Sequence, residues 1–211
     1  MEQTNFEKAV DIAKKVVLET GSHAPHVLAF TDKGIANCVF QDMPEDSEEK
    51  LNVFIKLGNK LTTQADRLDE VYFISEAWAA KPELGKKVIL PIRNDPARVE
   101  VLIIIGKDIV SGKNCGAIYE MKRDKTTNKV VELVDWLLPK EMDESGSFES
   151  RLTDGLIDSF QKASATKSVL REAIKRDPEV LAKMKEAIDG KRTPTSVMED
   201  ILSGKIGRGE F

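Results

Sequence analysis

The chain has 211 residues, with 32 Lys plus Arg against 36 Asp plus Glu, a formal net charge of −4, 41% hydrophobic and 32% charged residues. That length suffices for one sizeable core with extensions, and the longest uninterrupted apolar run, residues 101–105, is far short of the ~20 residues that a membrane-spanning helix needs. The mild acidic balance argues against bulk attraction to nucleic acid or anionic lipid, which needs clustered basic charge.

The first residues carry acids where a secretory signal carries basic charge and an apolar run. The two cysteines, Cys38 and Cys115, are too few for a disulfide scaffold and fall inside strand-like segments. A cytoplasmic protein with reduced thiols is expected.

Thr4 and Glu7 have capping-box spacing, and Phe6, Val10, Ala13 and Val17 recur at helical period before Gly21, which predicts a helix over 5–20. Two apolar segments, 26–30 and 35–40, flank Thr31-Asp32-Lys33-Gly34 and predict a hairpin. Asp46 with Glu49 opens a second helix, expected over 47–65. Gly58 within it is expected to allow close packing against the sheet.

The β-formers Val71, Tyr72, Phe73 and Ile74 predict a buried strand running on into Ser75-Glu76-Ala77-Trp78. Segments 99–107, 117–123 and 130–138 then read as three strands joined by short connections, hence an antiparallel meander. The pattern predicts an α+β fold: a largely antiparallel sheet of about six strands with two helices from the N-terminal half packed on it. It occupies 1–138, followed by a polar linker at 139–150 and a helical C-terminal extension at 151–211. Within the extension, Asp177 with Pro178 and Ser196 with Glu199 mark helix starts. Between Lys162 and Arg192, 9 basic residues face 5 acidic ones. Solvated helix faces explain this surplus most simply, and a partner-binding surface is the alternative.

Several segments invite chemistry. The stretch from Gly106 to Asn114 has the look of a phosphate-binding loop, but five residues separate its glycines and Asn114 replaces the required hydroxyl, so a hairpin connection is expected. His23 and His26, the only histidines, could supply two metal ligands, with Cys38 a tempting third; a closed zinc site needs about four. The structural alternative hydrogen-bonds both imidazoles at a sheet edge, and no metal or cofactor is expected.

Strand alternation places Tyr72, Ile74, Glu76 and Trp78 on one face, and Arg98, Glu100, Leu102 and Ile104 on one face of a later strand. If those strands are neighbours, Arg98 can pair with Glu76 or Glu100 beneath Trp78. The cluster reads as an ion pair closing the sheet end, as a ligand pocket or, least readily, as an acid–base pair. Asp95-Pro96 also has a local role, beginning a turn into the next strand.

Ser75-Glu76-Ala77-Trp78, followed by Asp95-Pro96-Ala97-Arg98-Val99-Glu100, resembles a prokaryotic and phage-associated family of small α/β proteins with no assigned activity. The resemblance implies a bacterial, archaeal or phage origin and a shared role for Glu76, Trp78 and Arg98. The element order is also similar to profilin-like scaffold domains such as roadblock proteins, an analogy of fold alone.

With no catalytic signature, the favoured expectation is a non-enzymatic interaction or regulatory module whose C-terminal helices dock a protein partner or a second copy. The alternatives are a small-ligand binder or enzyme using Glu76, Trp78, Arg98 and Glu100, and, least favoured, a nucleic-acid-associated protein using the basic stretch.

Overall fold

The computed structural model describes residues 3–80, 95–135 and 151–176. In chain order the elements are α1 (Asn5–Thr20), β1 (His26–Thr31), β2 (Gly34–Val39), α2 (Ser47–Leu61), β3 (Leu68–Ala80), β4 (Arg98–Asp108), β5 (Asn114–Arg123), β6 (Val130–Asp135) and α3 (Arg151–Arg176). The strands form one antiparallel sheet in the order β2-β1-β3-β4-β5-β6. The fold is α+β, as the periodicities predict. The chain divides into two compact units, 1–160 and 161–211, so the first ten residues of α3 belong to the sheet's unit. The expected linker at 139–150, the last residues of the strand read to 138, and the helix starts at Asp177 and Ser196 lie outside the described residues.

Local chemistry sets the elements. The Thr4 side chain accepts from the Glu7 N–H while Glu7 reaches back to the Thr4 N–H, and Gly21 ends α1 with φ 81°. Asp46 caps α2 through the N–H groups of Glu48 and Glu49. Helix α2 stops at Leu61, short of the expected 65, and Thr62 and Thr63 turn their hydroxyls onto the Asn59 and Lys60 carbonyls. Strand β3 is much longer than its apolar centre because β4 pairs with it along its length, from Glu70 with Asp108 to Ala80 with Arg98.

Each sheet face has its own core. Ala9, Val10, Ala13 and Val17 of α1 pack on Leu28, Tyr72, Ile74, Leu102 and Ile104. Gly106 faces Tyr72, and a Cβ there would sit 2.4 Å from the tyrosine ring. On the opposite face Phe54 and Leu61 of α2 join Val27, Val71 and the start of α3, namely Leu156, Ile157 and Phe160.

Gly58 does admit a close neighbour, but that neighbour is α3. A Cβ at Gly58 would lie 2.3 Å from the Leu156 carbonyl oxygen, and Ser159 donates to the Ile55 carbonyl at 2.6 Å. The expectation of close packing against the sheet is corrected accordingly: the helix's apolar stripe faces the sheet, and its glycine is where a second helix crosses.

Two hairpin turns share one design. The Asp108 and Asp124 side chains each accept N–H bonds from the following turn, and the backbone N–H of each donates to the carbonyl of a lysine five residues on, Lys113 and Lys129. The left-handed position is filled by Gly112 (φ 73°) in one and Asn128 (φ 56°) in the other. The phosphate-loop-like stretch is therefore the β4–β5 turn.

Two measurements check this packing. Phe160→Ala is expected to lower unfolding stability by ~3–5 kcal/mol in urea titrations. Gly58→Ala should cost about 1–3 kcal/mol despite the higher helix propensity of alanine, because the obstructing atom belongs to a backbone.

Candidate functional site

Arg123, the last residue of β5, organises the end of the sheet where α1 stops. Its Nε and Nη2 donate to Oε2 and Oε1 of Glu100 at 2.6 and 2.8 Å, a bidentate pair. Its Nη1 donates to the Gly21 carbonyl at 2.7 Å and to the Asn128 carbonyl at 3.0 Å. Glu76 stands on the other side, its Oε2 3.9 Å from Nη2. One guanidinium thus joins β3, β4, the C-terminal cap of α1 and the β5–β6 turn.

The two carboxylates differ. Burial pushes the Glu76 carboxyl up and the nearby Glu100 charge adds to it, while the His23 backbone N–H and Arg123 pull it down. The His23 N–H donates to Glu76 Oε1. The Glu100 bond raises Arg123 above its ordinary value, so the guanidinium stays charged.

Glu76, Trp78 and Glu100 lie together, as strand alternation predicts, with Trp78 opposite Glu100 in the ladder. Arg98 corrects the expectation. Its ladder partner is Ala80, four residues past Glu76; it stands two residues from Glu100 on the same face, and its guanidinium lies over the Trp78 indole at 4.8 Å. The cation that meets both carboxylates is Arg123. Alternation along β5 puts Arg123 on the face of Tyr119 and Met121, a signal already present in the expected meander but usable only with the β4–β5 register.

An open groove of about 610 Å³ results, lined by Thr20, Gly21 and Ser22 at the end of α1, by Trp78, Glu100 and Arg123, and by Thr127, Asn128 and Lys129 of the turn. Trp78 is half exposed, with the Arg98 guanidinium over its indole. The Asp95-Pro96 turn has its predicted local form: the Ala97 N–H donates to Asp95 Oδ1 at 2.8 Å and leads into β4.

His23 and His26 are buried, their rings stacked with centroids 4.4 Å apart. Both Nδ1 atoms approach the Ala24 carbonyl, at 2.9 and 3.3 Å. A carbonyl only accepts, which assigns the proton to Nδ1 in each ring. Both Nε2 atoms are buried without a partner. Protonating either would create a buried N–H with no acceptor, and burial lowers both histidines, His26 to about 4.

Cys38 does not complete a metal site. It packs with the α2-side core, whereas Leu28 and Phe30, which alternate with His26 along β1, face α1. Among the described residues no group of three His, Cys, Asp or Glu is arranged to hold a metal. Both thiols are free, partly buried, and pushed up by burial. Among the described residues no helix is long and apolar enough to cross a membrane.

No protein-family model matches the chain, nor does any curated protein or solved structure.

Arg123→Gln leaves two carboxylates facing each other and is expected to cost ~3 kcal/mol, the low end for breaking a buried pair. Glu76→Gln, which keeps the acceptor for the His23 N–H, should stay within about 0.5 kcal/mol of the parent; urea unfolding reads both. The pH response follows from His26, whose folded value lies below the unfolded 6.5. Its contribution is intact above pH 6.5 and is lost as pH falls towards 4, by about 1.4 kcal/mol per pH unit. Glu76 acts in the opposite sense, since burial favours its protonated form. The difference between the parent and His26→Leu isolates the histidine, and the variant should take up about one proton fewer on unfolding at pH 5.

Proposed function

We propose that the protein is a non-enzymatic binding module of the cytoplasm whose sheet unit receives a small polar ligand at the Arg123 end. The observation that carries this is convergence: Trp78, Glu100 and Arg123 meet the α1 terminus and the 127–129 turn around one groove. The indole offers a face on which a planar group stacks, and Lys129 offers a cation at the rim. Binding is favoured over turnover because Arg123 engages both carboxylates, so neither stands as a free base beside a nucleophile. The motif resemblance supports a prokaryotic or phage setting.

Ligand-observed NMR with a mixture of nucleobases and aromatic carboxylates tests the reading. Binders are expected whose signals weaken at least tenfold with Trp78→Ala and persist with Val110→Ser, a substitution at an exposed residue of the β4–β5 turn. An absence of binders, or binders indifferent to Trp78, overturns it.

A second reading, partner docking by the C-terminal helices, is supported by the course of α3 past Phe160, where Lys162, Arg171, Lys175 and Arg176 are exposed. A chain ending at residue 160 keeps Leu156, Ile157 and Phe160 in the core. It should fold and fail to recover the partner that the full chain recovers; equal recovery sinks the idea. Nucleic acid as the partner would announce itself by steep weakening with salt.

A further inference from the structure

We infer that the β2 edge pairs with the β2 edge of a second copy, in antiparallel register about Asn37, to join two sheets into one. Among the described residues β2 has a strand neighbour on one side only. Gly34–Val39 contains no charged residue and no proline, so it lacks two of the devices that keep an edge from pairing. The opposite edge, β6, carries Glu132 and Asp135 within six residues, and self-pairing there would oppose like charges.

The β1–β2 ladder fixes which backbone groups face outward. The Phe40 N–H donates to the Pro25 carbonyl at 2.9 Å, and the same register runs through Val39 with His26 to Gly34 with Thr31. Hydrogen-bonded and non-hydrogen-bonded pairs alternate in an antiparallel ladder. Ala36 and Cys38 therefore bond to β1, and Ile35, Asn37 and Val39 turn their N–H and C=O groups away from it.

These three positions are self-complementary. A two-fold axis at Asn37 sets Asn37 against its own copy and Ile35 against Val39 of the partner subunit, each pair exchanging both backbone bonds. Ile35 and Val39 are large apolar side chains exposed at 55% and 58%, and this register covers each with the other. Slipping by two residues opposes Ile35 to Asn37 and loses that match. The contact is short, so a reversible dimer is expected, with the micromolar or weaker affinity of interfaces under ~1,200 Å².

Charge placement tests the register. In sedimentation equilibrium over a concentration series, the parent is expected to dimerise reversibly. Ile35→Lys with Val39→Lys opposes like charges across the seam and should weaken dimerisation at least tenfold. Ile35→Lys with Val39→Glu opposes unlike charges and should restore it.

All of these side chains are exposed, and far-UV circular dichroism checks that the variants fold. A covalent test is independent: Asn37→Cys places two thiols on a pair with Cα atoms ~5.5 Å apart, within disulfide reach. It should yield an intermolecular disulfide in a glutathione buffer where Val110→Cys stays monomeric. A parent that is monomeric up to millimolar concentration overturns the inference, as does a Lys/Glu variant as monomeric as the Lys/Lys one. Asn37→Cys cross-linking no better than Val110→Cys overturns it too, and leaves the edge to a strand from a different protein.

Discussion

The bidentate bond between Arg123 and Glu100 is the contact on which the end of the sheet beside the C-terminus of α1 depends. Two acidic side chains project from neighbouring strands at the rim of the apolar core, where the Glu76 carboxyl is already pushed up by burial. Without a cation they would repel across β3 and β4 and lose hydration together. A guanidinium suits the place better than an ammonium, because its planar fork holds Glu100 with two nitrogens and still presents a third to two carbonyls. One of those carbonyls belongs to Gly21, at the end of a helix whose last turn has no basic residue of its own. A side chain from β5 thus supplies the positive charge that the C-terminal end of α1 favours. At this end of the sheet one side chain ties the helix terminus and the turn to the strands, beyond the apolar packing of α1.

Much of the fold is legible in the sequence because its signals are local. Thr4, Glu7 and Gly21 declare both ends of α1, and Asp46 declares the start of α2. The turns at Asp108 and Asp124 announce the meander. The strand ends are less legible: β3 starts at Leu68 and β5 at Asn114, ahead of their apolar centres, because neighbouring strands pair with those residues. Gly58 shows the same limit: its sequence context says that something comes close, and only the tertiary arrangement says that it is the Leu156 backbone.

The site follows the same division. Strand alternation brings Glu76, Trp78 and Glu100 to one face, which a period of two is enough to reveal. Their cation comes from β5, which the meander sets beside β4, and only the register and side-chain geometry show that Arg123 reaches Glu100. Arg98 sits close to Glu100 in sequence yet engages the Trp78 ring, whereas Arg123 lies 23 residues away and makes the bidentate bond. The histidines divide in the same way. Their spacing offers two imidazoles side by side, and the tertiary structure alone shows that each ring spends Nδ1 on the Ala24 carbonyl and leaves Nε2 bare, a protonation pattern that sequence spacing does not encode.

The β5–β6 turn links these themes. Asn128 occupies the left-handed position that Gly112 fills in the sister turn, a conformation that β-branched residues adopt only with strain and asparagine tolerates. Its carbonyl accepts from Arg123, and Thr127, Asn128 and Lys129 form one wall of the groove. Among the described residues no arginine bonds the backbone of the sister turn: its Ile109 N–H donates to the Asp69 carbonyl, and Val110 at its tip is 78% exposed. The same turn chemistry therefore serves as a plain connection after β4 and as a structural wall after β5. What separates the two roles is the arginine that closes β5, because its third nitrogen fixes the turn backbone against the end of α1.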